Sequence, residues 1–184
     1  MNILKTTVSI TALAFSAAAF GAASLGENQA QAFANIYASL CMKNIHDLGV
    51  LRKQLQSVPK LPPEKAAHFL AGQAGDAWPV PDKQGLFVLA LPAGNNLCAI
   101  HGRRADTEAS KKQFVRLVGQ APAPIVLKKL HPETRQTTAN GSTETLAYEW
   151  AVPKAPHKLR FTLTVAPSEN AQLQVLGSAA IVRP

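Results

Sequence analysis

The sequence predicts an α+β protein: an antiparallel sheet of about five to six strands with N-terminal helices and one mid-chain helix packed on it. Three observations predict it. Apolar residues recur at helical spacing in the first third of the chain, and apolar–polar alternation takes over in the last third. Clusters of Gly, Pro and Asn then divide the alternating part into short runs, whose brief connections suit antiparallel neighbours.

The first helix is read over residues 28–56, where Phe33, Ile36, Tyr37, Leu40, Cys41, Ile45, Leu48, Leu51 and Leu55 fall at steps of three and four. Gly49 marks a bend or split in it. Leu61-Pro62-Pro63-Glu64 places prolines and an acid where a short second helix starts, and Gly72 stops it. Residues 72–85, with Gly75, Trp78, Pro79, Pro81 and Asp82, read as an ordered loop pinned by Trp78. Residues 86–91 are apolar at every position, a strand covered on both faces, and residues 97–101 complete a hairpin after Pro92-Ala93-Gly94-Asn95-Asn96.

Asp106 is the expected N-cap of the mid-chain helix, which runs to Val118 and is ended by Gly119 and Pro122. Residues 125–130 form a strand, followed by a polar turn region. Three alternating runs follow: Leu146, Tyr148, Trp150 and Val152; Leu159, Phe161, Leu163 and Val165; Leu173, Val175, Gly177, Ala179 and Ile181. Asn140-Gly141-Ser142 fits a glycosylation acceptor, but Asn-Gly is also a favoured tight-turn pair and is read as the turn.

Residues 1–23 carry one charge, Lys5, then an apolar run and the small-residue exit Gly21-Ala22-Ala23, the pattern of a signal peptide cut before Ser24. The run is shorter than the roughly 20 residues that span a bilayer, so no transmembrane anchor is expected. The nearest cysteine after the cut is Cys41, so no lipid anchor is expected either. What remains is a single domain of residues 24–184, periplasmic or secreted. Losing Lys5 lowers the formal net charge from +8 to +7. That balance points to another envelope protein or an anionic envelope component as partner, and export argues against nucleic acid.

Export also governs the two cysteines, Cys41 and Cys98, which are expected to pair as a disulfide. A metal set with His46 and His101 is disfavoured. Cys41 and His46 would lie roughly 140° apart around one helix, and Cys98 and His101 on opposite faces of one strand. No metal or other cofactor is expected. No serine elbow, phosphate loop or helical zinc signature is present, and no catalytic residue is assigned. If the chain were an enzyme, His46 beside Asp47, or His101, would be its acid–base groups. The candidate binding residues are Trp78, on its proline-framed segment, and Arg103, Arg104, Lys111 and Lys112. Trp78 also fits a plug over the core.

Between residues 72 and 101, Gly75-Asp76-Ala77-Trp78 leads into Gly85-Leu86-Phe87-Val88-Leu89 and then Leu97-Cys98. This stretch, with Cys41 and the helix after Asp106, resembles small exported proteins of Gram-negative bacteria whose function is uncharacterised. The resemblance implies a periplasmic setting and supplies no catalytic residues. The expectation is therefore an exported, non-catalytic binding or interaction module of accessory, inhibitor or immunity type. A small envelope hydrolase and a periplasmic metal carrier are the alternatives.

Overall fold

The computed structural model describes residues 24–137 and 139–183. The signal-peptide expectation for residues 1–23 lies outside the described residues.

Helix α1 (Leu25–Ile36) opens on a capping box, in which the Glu27 amide donates to Ser24 Oγ at 3.2 Å and the Ser24 amide to Glu27 Oε2 at 2.7 Å. It runs on into a π-helical segment, Tyr37–Met42. The wider turn puts Tyr37 and Cys41 inward together, both fully buried. The break expected at Gly49 comes earlier. Asp47 leaves helical geometry and caps α2 (Leu48–Gln54) by accepting from the Val50 amide at 3.1 Å. A Cβ on Gly49 would stand 3.1 Å from that carboxylate, so the glycine serves the cap. Helix α3 (Pro63–Ala66) starts on its prolines as expected, and α4 (Thr107–Gly119) is capped by Asp106, which accepts from the Ala109 amide at 2.7 Å.

Among the described residues, eight antiparallel strands form one sheet: β1 (Gly75–Pro81), β2 (Leu86–Pro92), β3 (Leu97–Arg103), β4 (Val126–Lys129), β5 (Glu133–Thr137), β6 (Gly141–Ala151), β7 (Lys158–Val165) and β8 (Val175–Val182). The order is β1-β2-β3-β8-β7-β6, with β4 and β5 pairing with successive parts of β6. The class is the predicted one, and the strand count is higher by β1 and β5. β1 occupies the segment read as a loop, because its prolines are compatible with an edge strand, whose outward amides need no partner. β5 is exposed throughout and carries no apolar alternation to reveal it. Asn140-Gly141 makes the β5–β6 turn, with Gly141 at φ 69°.

Residue parity sorts the two faces. Trp78, Leu89, Cys98, Ile100, Gly177, Phe161 and Tyr148 face α1 and α4 and build the main core. Phe33 and Tyr37 stack with centroids 6.1 Å apart, and a Cβ on Gly177 would meet Phe33 Cζ at 2.8 Å, so only glycine admits this pair against β8. The Tyr37 hydroxyl donates to the Ser178 carbonyl at 2.7 Å. The Cys41–Cys98 disulfide forms as expected and ties the π segment to β3 across 57 residues.

The opposite face is covered in part by α3 and the turn after it, whose Ala66 and Leu70 pack on Ala77, Ala90 and Ala99. β2 is thus covered on both faces, as its unbroken apolar run predicted. Not every helix lies on one side: alanines on β1, β2 and β3 let the α3 segment approach the second face closely.

Candidate functional site

Trp78 lies in the core. It pairs with Leu89 across β1 and β2 on the helix-facing side and is 2% exposed, with Lys60 Nζ 5.5 Å from its ring centroid. The strand parity of β1 turns it inward, so it is the core plug and offers no open contact surface in this fold. Its indole nitrogen is buried without a hydrogen-bond partner among the described residues.

The four basic candidates divide between two places. Lys111 binds Glu108 at 2.6 Å and Glu144 at 3.0 Å. Hydrogen bonds that it donates to Glu108 and then to Glu144 raise its pKa, and its charge is already committed. Lys112 follows it on the groove between α1 and α4, where Glu27, Asp106 and Glu108 also stand. That groove is the larger hollow, about 1080 Å³, but it mixes both signs of charge.

Arg103 and Arg104 lie elsewhere, at the end of β3, in a cleft of about 330 Å³ facing the β1–β2 turn. The turn contributes Lys83, and Asp82 braces it by accepting from the Gln84 amide at 2.7 Å. Among the described residues, Lys83, Arg103 and Arg104 make no ion pair. The Arg104 backbone is left-handed at φ 67°, a conformation that costs a non-glycine residue about 1–2 kcal/mol. It is held by Gln174, whose side-chain oxygen accepts from the Arg104 amide at 2.6 Å while its nitrogen donates to the Ala171 carbonyl at 2.9 Å. Gln29 of α1 also lines the cleft, 6% exposed and with no hydrogen-bond partner for its carboxamide among the described residues. Three cations, a buried amide and a fixed arginine turn therefore meet one carboxylate, an arrangement that receives anions.

The histidines do not form such a site. His46 is exposed at the break before α2, and His101 is 6% exposed on the second sheet face. His101 Nε2 lies 3.1 Å from the Phe69 carbonyl, which can only accept, so that nitrogen carries the proton and Nδ1 is left as a buried acceptor with no partner among the described residues. Burial, opposed in part by this hydrogen bond, pushes its pKa down to about 4. Both cysteines are in the disulfide, and among the described residues no three His, Cys, Asp or Glu side chains cluster for a metal.

Lys83, Gln29 and Leu86 were not singled out from the sequence. The Asp82-Lys83-Gln84-Gly85 turn was legible as a turn, but only the β2–β3 register, which sets Leu86 opposite Arg103, brings it to the arginines. No family model, curated protein or solved structure matches the chain.

Proposed function

We propose that the chain is an exported, non-catalytic binding module of the bacterial envelope, of accessory, inhibitor or immunity type, that engages an acidic partner through the cleft between the β1–β2 turn and the end of β3. The carrying observation is the convergence there of Lys83, Arg103 and Arg104, none of them ion-paired among the described residues. Exposed cations that no carboxylate of their own protein neutralises favour anions and speed their encounter. The leader-like first 23 residues and the disulfide support a periplasmic or secreted setting. Lys112 stands apart in the mixed-charge groove between α1 and α4, and Lys111 serves the α4–β6 contact.

The test is affinity capture from envelope extract with the wild type and with the double charge reversal R103E/R104E, both side chains being exposed. A specific partner held by the wild type, released by moderate salt and lost on charge reversal is the expected result. Retention of every specific partner by R103E/R104E and by K83E would remove this surface from the function.

A further inference from the structure

The basic cleft continues into a second hollow. Beyond Leu86 lies a notch of about 480 Å³ walled by Pro79, Val80, Pro81 and Phe87, and the two hollows share Asp82, Lys83, Gly85 and Leu86. One hollow is basic and the other apolar. Leu86 stands between them, 78% exposed at the start of a strand that is otherwise largely buried. Leaving a leucine in water forgoes its burial, which a partner that covers it recovers.

The notch lies against the end of β1, the edge strand, and that edge does not invite strand addition. Pro79 and Pro81 have no amide to donate. Ala77 belongs to the same outward-facing backbone row, and its carbonyl already accepts from the Leu61 amide at 2.8 Å. An incoming chain is thus denied a ladder here, and recognition falls to its side chains.

We propose that the paired hollows take an extended acidic segment of a partner protein, with an Asp or Glu carboxylate in the basic hollow and a neighbouring apolar side chain against Leu86 and the proline wall. The inference rests on the anion-binding reading above and deepens it to a ligand class. A planar carboxylate matches guanidinium forks, and the Gln29 carboxamide supplies a further donor. Three cations against the one carboxylate of Asp82 leave a positive balance that attracts either a carboxylate or a phosphate, so the choice between them falls to the apolar wall. The adjoining apolar wall has no counterpart on a phosphate or on a uniformly polar acidic glycan.

The test is selection of a randomised decapeptide display library on the exported protein, with R103E/R104E and L86S in parallel and near-ultraviolet circular dichroism confirming that each variant is folded. The wild type enriches Asp or Glu with an apolar residue adjacent or next but one. A labelled peptide made from the enriched sequence binds R103E/R104E at least about tenfold more weakly, the usual loss on removing a charged anchor. L86S keeps the acidic preference and loses the apolar one. Enrichment without an acid, or enrichment indifferent to R103E/R104E or to L86S, overturns the assignment. Sodium polygalacturonate and inorganic phosphate are the competing probes. Arginine-dependent binding of either, with no peptide enrichment, overturns the peptide class while the anionic-partner reading stands. Failure of all three probes, together with partner capture unaffected by R103E/R104E, removes both.

Discussion

His101 ties the stability of the fold to pH, and the size and sign of the effect follow from its surroundings. The ring is buried between β3 and the α3 segment, donates to the Phe69 carbonyl and meets the Phe69 ring edge-on at 5.1 Å between centroids. Its folded pKa of about 4 lies below the ordinary 6.5, so the native state binds fewer protons than the unfolded chain at intermediate pH. Stability is therefore full above pH 6.5, falls as pH drops through 6.5 towards about 4, and levels off below that. With 1.36 kcal/mol per pKa unit, the loss between about pH 7 and about pH 5 is roughly 2 kcal/mol. Glu149 leaves this window clear. Hydrogen bonds from Arg160 hold its carboxyl below the ordinary 4.5, so its contribution is lost only at lower pH. Urea unfolding of the wild type and of H101Q at both pH values measures the difference. H101Q is less stable at neutral pH but has a flatter pH dependence, because nothing at position 101 titrates. Equal losses in the two proteins would refute the assignment of the acid limb to His101.

Three further outcomes follow from the core. Replacing Cys41 and Cys98 together by serine lowers stability by about 4 kcal/mol in urea, the loop-entropy value for a bridge of this span. Gly177→Ala drives a Cβ into Phe33 and Tyr37 and costs about 1–3 kcal/mol, read as a lowered denaturation midpoint at unchanged slope. Tyr37→Phe removes the hydroxyl that donates to the Ser178 carbonyl and costs about 0.5–1.5 kcal/mol by the same measurement, with the aromatic stack with Phe33 retained.

Local chemistry made much of the fold legible in advance. The stripe through Phe33, Tyr37 and Cys41, the Asp106 cap, the unbroken run of β2 and the alternations of β6, β7 and β8 are all periodicities that burial imposes on neighbouring residues. β1 escaped because prolines ordinarily argue against strands, and only its place at the sheet edge makes Pro79 and Pro81 harmless. β5 escaped because an exposed strand has no buried face to pattern.

By itself the sequence determined the α+β class, the starts of α3 and α4 and the pairing of two cysteines, since each follows from short-range periodicity, capping chemistry or the count of a single residue type. Tertiary structure alone decided that Trp78 turns inward, that Lys111 spends its charge on Glu108 and Glu144, and that Arg103 and Arg104 keep theirs open beside Lys83. The physical reason is register. Which face a strand residue takes, and which turn it meets across the sheet, depend on hydrogen-bonded partners far along the chain, and Leu86 opposite Arg103 is such a pairing.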